Sequence, residues 1–150
     1  MQLNKFTDLS LRVLMYLSYQ ERESVVTINE IAEKFNASKN HLIKIVTKLN
    51  KAGWIMATRG RNGGLQLAKP TNQLRLGDII SALEHPTLVD CNHAACPIRG
   101  ECNLKHILDF GLVNFYNEMN RYTLADIVDA KTGSALIKLH QSFSVIKTMQ

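Results

Sequence analysis

The three cysteines of the chain, Cys91, Cys96 and Cys102, all fall within 12 residues in a C-x4-C-x5-C arrangement. Thiolates are the soft donors that iron–sulfur clusters and zinc select. A lone cysteine is more often an ordinary thiol, but three in one stretch that also holds Pro97 and Gly100 can wrap a single centre. The spacing departs from the paired C-x2-C knuckles of structural zinc. Three thiolates leave a fourth position for an unlike ligand, and the candidates are Asp8, Asp90, His93 and His106. Asp90 and His93 are nearest along the chain, while His106 stands one helical turn past Cys102.

A second chemistry lies in the distribution of charge. From Ser38 to Lys69 there are seven basic residues (Lys39, Lys44, Lys48, Lys51, Arg59, Arg61 and Lys69) and no acidic one. From Pro70 to the end, seven basic residues face eight acidic ones, a net of −1, so the overall charge of +5 is concentrated in the N-terminal half. Lysine-rich surfaces are often merely solvated. A run of 32 residues without one carboxylate, in a chain that uses both Asp and Glu freely, suits a polyanionic partner.

The elements that must carry these residues can be read from periodicity. A first helix is expected from Thr7 or Asp8 to about Gln20, with Leu11, Leu14, Met15 and Leu17 as its apolar stripe. Thr27 followed three residues later by Glu30 marks the start of a second helix, whose buried face is Ile28, Ile31, Ala32 and Phe35. Asn36 suits a left-handed turn and Ser38 a cap for a third helix, over Lys39 to Ala52 and stopped by Gly53. Leu42, Ile45, Val46 and Leu49 lie on one side of it, and Asn40, Lys44, Thr47, Lys48 and Lys51 on the other. Two amphipathic helices joined by so short a turn, the second with a basic face, form the helix-turn-helix pattern.

The runs Trp54–Thr58 and Leu65–Ala68 flank Arg59-Gly60-Arg61-Asn62-Gly63-Gly64, which predicts a β-hairpin, the wing of a winged helix. On this scaffold Lys39, Asn40, His41 and Lys44 are the candidates for base edges, and Lys48 and Lys51 for phosphates. Arg59, Arg61 and Asn62 of the wing would enter the adjacent minor groove. A further helix is expected around Leu76 to Glu84, then an irregular stretch from His85 to Gly100. A long helix from about Asn103 to Asn120 would carry Leu104, Ile107, Leu108, Leu112, Phe115 and Met119, a stripe that dimerisation would cover. Tyr122–Val128 reads as a short capped helix, and the tail from Gly133 carries scattered apolar residues with no assigned role.

Composition narrows the classes. At 150 residues, 45% hydrophobic and 21% charged, the chain has room for about one core. No run of 18 apolar residues spans a bilayer, and the apolar stretch Leu9–Tyr19 has Asp8 at its edge and Arg12 within it and lacks a cleavage site. The expectation is a cytoplasmic protein without a disulfide framework and without a membrane partner. A Ser/His/Asp set in a recognisable frame, a P-loop and an HExxH motif are all lacking, so an enzyme is not expected.

These residues resemble a known family, the bacterial winged-helix repressors that carry an iron–sulfur cluster, and within it most closely the nitric-oxide-sensing branch. The resemblance rests on Met1-Gln2-Leu3 with Phe6-Thr7-Asp8, Lys39-Asn40-His41, Arg59 to Gly64, Lys69-Pro70, the cysteine spacing, and Tyr122-Thr123-Leu124-Ala125-Asp126. It implies a mainly α fold with a small β-hairpin, a winged helix-turn-helix plus a long dimerisation helix. Over about 2–130 the chain would be one domain of the family. Residues 1–84 would bind DNA, with the helix-turn-helix at about 28–51 and the wing at about 54–68. The cysteine loop would follow at 85–102, dimerisation helices at 103–130 and a tail at 131–150. The resemblance also implies a homodimer on a palindromic operator, repressing genes of nitric oxide detoxification. Cys91, Cys96 and Cys102 would hold a [4Fe-4S] or [2Fe-2S] cluster, with Asp8 of the partner subunit as fourth ligand. Related regulators of cluster supply use a histidine three residues after the last cysteine; here Lys105 stands there and His106 follows. The alternatives are therefore such a supply regulator, or a zinc-stabilised DNA-binding protein.

Overall fold

The computed structural model describes residues 2–19, 25–60, 63–91, 96–98 and 100–148. The first helix, α1 (Lys5–Leu17), begins where extended Asn4 accepts the Thr7 N–H at 2.8 Å, two to three residues ahead of the expected start. It ends at Leu17, short of Gln20, which lies outside the described residues. Its buried face also differs from the expected stripe. Val13, Leu14, Tyr16 and Leu17 are buried, whereas Leu11 and Met15 are half-buried. The reason is position: α1 is packed on by elements from four parts of the chain, so more than one stripe of it is covered.

In α2 (Ile28–Lys34) Thr27 caps the first turn, its Oγ1 accepting the Glu30 N–H at 3.2 Å. Glu30 itself turns inward, 1% exposed, and its Oε1 accepts the Tyr16 hydroxyl at 2.6 Å. Asn36 takes the left-handed conformation the turn requires, with φ +46°, and α3 (Lys39–Lys51) follows. Ser38 occupies the cap position of α3 without a side-chain capping bond. The expected inner face of α3 is the observed one: Leu42, Ile45, Val46 and Leu49 are all buried. At about 1.5–3 kcal/mol for each buried aliphatic side chain, these four fix the helix against α1 and α2.

Strands β1 (Ile55–Ala57) and β2 (Leu65–Leu67) form an antiparallel hairpin in the register Ile55↔Leu67, Met56↔Gln66 and Ala57↔Leu65. The loop between them closes through Thr58 N–H to the Gly64 carbonyl at 2.9 Å. A glycine is needed at 64, because a Cβ there would run into the Val25 side chain and the Val26 carbonyl. That close approach lets Leu65 N–H reach the Val26 carbonyl at 2.8 Å, anchoring the wing to the segment before α2.

After a 3-10 turn (Thr71–Gln73) come α4 (Leu76–Leu83), α5 (Asn103–Met119) and α6 (Leu124–Ile127). Gly77 lets α4 lie directly on α5, where any side chain would strike the Tyr116 carbonyl and Asn120. Asn120 then accepts the Asp78 N–H and donates to the Asp78 carboxylate, both at 2.8 Å. The apolar stripe expected on α5 is divided. Leu112 is buried and Leu108, Phe115 and Met119 are half-buried, while Leu104 and Ile107 stand exposed beside Phe110 and Val113. The expected short helix is α6, held by a complete capping box between Thr123 and Asp126.

The tail is helical: α7 runs from Ala130 to Thr148 and folds back on α1. Leu136 is buried, and His140 is 3% exposed with its ring stacked on Tyr16 at 3.9 Å and its Nε2 2.9 Å from the Tyr16 carbonyl. Lys34 donates to Ser142 at 2.9 Å, which ties the end of α2 to the same helix. Among the described residues no helix is long and apolar enough to cross a membrane.

Candidate nucleic-acid interface and thiol centre

The outward side of α3 presents Lys39, Asn40, Lys44, Lys48 and Lys51 to solvent, as the periodicity requires once the inner face is in the core. His41 is the exception among the residues expected near bases. It is half-buried, its ring stacked on Phe6 of α1 at 5.8 Å, so part of it serves the α1–α3 contact. In the wing Arg59 is exposed, while Arg61 and Asn62 lie outside the described residues.

Between α2, α3 and the wing lies a cleft of about 740 Å³, lined among others by Thr27, Asn29, Ile43, Thr47, Thr58 and Arg59. Two residues of this region carry no functional signal in the sequence. Asn50 accepts the Ala57 N–H at 3.1 Å, which sets the angle between α3 and the wing. Ile43, an apolar residue that periodicity assigns to neither face, is 50% exposed within the basic surface.

The three cysteines are free thiols, all half-buried. Cys102 is the N-cap residue of α5. Lys105, in the first turn of α5, is bonded to Asp109, whose carboxylate holds the ammonium above the usual lysine range; Cys91 is near enough to add to that effect. Among the described residues, no three His, Cys, Asp or Glu side chains converge at metal-binding distance.

The candidate fourth ligands are dispersed. Asp8 is on the exposed side of α1, with Oδ1 accepting Arg12 Nε and Oδ2 beside Arg12 Nη2, both at 3.1 Å. Asp90 and His106 are exposed, and His93 lies outside the described residues. Three free thiols within 12 residues of chain, the last of them capping α5, fit a soft metal centre by donor chemistry. The described part of a single chain does not supply the complete shell.

The fold is shared with solved regulators. CymR of Staphylococcus aureus superposes with a TM-score of 0.64 at 25% identity, over 84% of this chain and 97% of that one. CymR of B. subtilis, the global cysteine regulator of that organism, gives 0.63 at 23% identity, over 85% and 95%. IscR of T. potens gives 0.66 at 23% identity, over 85% and 86%. Residues 3–130 match the profile of Rrf2, described as an iron-dependent transcriptional regulator. Members of that family are regulators that bind DNA, typically as dimers, and not enzymes. With a winged helix, a lysine-faced third helix and this match over most of its length, the chain belongs to the Rrf2 family of DNA-binding transcriptional regulators.

Proposed function

We propose that the chain is a nitric-oxide-sensitive repressor of the NsrR type, a cytoplasmic homodimer that holds an iron–sulfur cluster and binds a palindromic operator. The observation that carries this reading is the coexistence, in one Rrf2-family chain, of a lysine-faced recognition helix and three free thiols grouped ahead of α5. In this reading residues 1–84 bind DNA, 85–102 hold the metal centre and 103–130 make the dimer, with 131–150 appended. Cys91, Cys96 and Cys102 supply thiolates, and Asp8 of the partner subunit supplies an oxygen.

When bound, the cluster would be held by Cys91, Cys96 and Cys102 with Asp8 of the partner subunit and would supply iron open to nitric oxide, least protected at the oxygen ligand; in this reading the gas would release the operator and derepress nitric oxide detoxification genes. The chain's own part is mechanical. The Asp8–Arg12 ion pair is more than half exposed, and such pairs contribute at most about 1 kcal/mol, so Asp8 yields readily to a ligand position. Helix α1, which carries Asp8, packs directly on α3. Operator half-sites lie about 34 Å apart, so a small rotation of the two α3 helices puts both out of register.

One observation favours a second reading, a regulator of cluster supply with a histidine ligand: His106 is exposed in the first turn of α5, whereas Lys105 is engaged with Asp109. Anaerobic purification followed by nitric oxide titration separates the cases. Brown protein containing iron and sulfide, whose operator binding the gas abolishes, is the expected result. Asp8→Ala should alter the visible spectrum and His106→Ala should not; the reverse selects the supply regulator. Zinc without iron or sulfide selects a zinc-stabilised DNA-binding protein, and tight sequence-specific binding after full nitrosylation ends the sensing role.

A further inference from the structure

Ile43 stands where a polar side chain would be expected. Its neighbours in the helix, Leu42 and Ile45, are fully buried, so the core side of α3 is already filled without it. Every other exposed residue of α3 carries a charge, an amide or a hydroxyl, while Ile43 leaves half its surface in water. A β-branched apolar side chain at an exposed helix position gains nothing from propensity and leaves apolar area uncovered. Beside it, one turn on, Thr47 donates its hydroxyl to the Ile43 carbonyl at 2.8 Å. The hydroxyl proton of Thr47 is therefore used within the helix, and the two residues form a small apolar island. Lys44 and Lys48 adjoin it, and it opens on the cleft toward Arg59 of the wing.

Positive charge around an apolar centre selects the occupant. The lysines hold the helix by phosphates, which carry no sequence information. In the major groove the one apolar feature that base pairs display is the C5-methyl group of thymine, and an aliphatic side chain is its complement. Asn40, three residues before Ile43 on the same side of the helix, has the donor and acceptor pair that reads adenine. Resting on the DNA-binding role already assigned to α3, we propose that Ile43 is a specificity-determining residue that covers the methyl group of one thymine in each operator half-site.

The test removes that methyl group alone. Full-length protein in its DNA-binding form selects an operator from random palindromic duplexes, and each thymine of the half-site is then replaced in turn by uracil. Replacement at one position is expected to weaken binding about fourfold per half-site, the equivalent of one buried carbon. Ile43→Ala should bind the thymine and uracil duplexes equally, and Ile43→Val, folded and nearly isosteric, should keep most of the preference. Wild-type protein indifferent to uracil at every position overturns the proposal, as does an Ile43→Ala variant that keeps the discrimination. An Ile43→Ala variant that loses its dimeric mass also overturns it, since the island would then face a second copy. Failure to select any duplex defeats the operator-binding role itself, a result distinct from tight binding that ignores thymine methyls.

Discussion

The Tyr16 hydroxyl and the Glu30 carboxylate meet at 2.6 Å in the interior, between the first two helices. A buried carboxylate is tolerated only with hydrogen-bond partners, and each such bond to a charged group contributes about 1.5–3 kcal/mol. Tyr16→Phe keeps the ring, and with it the stacking on His140 and the edge contact with Phe35, but removes the donor. We expect the variant to lose about 1.5–3 kcal/mol in urea denaturation while its circular dichroism stays unchanged. A midpoint equal to that of the wild type would show that this bond contributes nothing net. The sequence marked Glu30 for a capping box, and the backbone half of that expectation is present. What it could not show is that the acid would be claimed by a tyrosine 14 residues away.

At the scale of elements, α6 is only four residues long, and its capping box does much to define it. Thr123 donates its N–H and its hydroxyl to Asp126 Oδ2, both at 2.7 Å, and these bonds hold the carboxyl below its ordinary range. A depressed carboxyl favours the folded state when ionised. Its contribution is therefore complete above the ordinary aspartate value of about 3.9 and is lost as pH falls through the lower folded value. Asp126→Asn should accordingly be less stable than wild type at pH 7, with the gap narrowing below about pH 4. Denaturation midpoints measured across that range check the sign; a gap that widens on acidification contradicts it. Because α6 lies against the 3-10 turn and α1, the effect reaches the DNA-binding half of the molecule.

At the scale of the whole molecule, Leu104, Ile107, Phe110 and Val113 recur every third residue of α5 and are each between 54% and 69% exposed. Such a ridge is the kind that packs into the groove of another helix. In the dimer proposed above it is the surface that a second chain covers. Ile107→Asp is expected to leave each subunit folded, since the side chain touches no core, while reducing the mass in light scattering to that of a monomer. Operator affinity should fall with it, because two half-sites can no longer be engaged together. A dimeric variant of undiminished affinity would place the interface elsewhere.

What the sequence determined by itself was local. The inner face of α3, the left-handed Asn36, the hairpin and the Thr123–Asp126 box each depend on residues a few positions apart, and periodicity and spacing read such signals directly. The grouping of Cys91, Cys96 and Cys102 is equally local, the three being neighbours along the chain, and the metal centre they would hold is the proposal made above. Only the tertiary structure decided which covered positions α1 would have, how the α5 stripe would divide, and that the tail would close on the N-terminal half as α7. Those outcomes depend on partners tens of residues distant, from 42 for Asp78 with Asn120 to 124 for His140 with Tyr16. A histidine reads as polar in the chain, yet it becomes core once a tyrosine face and a backbone carbonyl are brought to meet it.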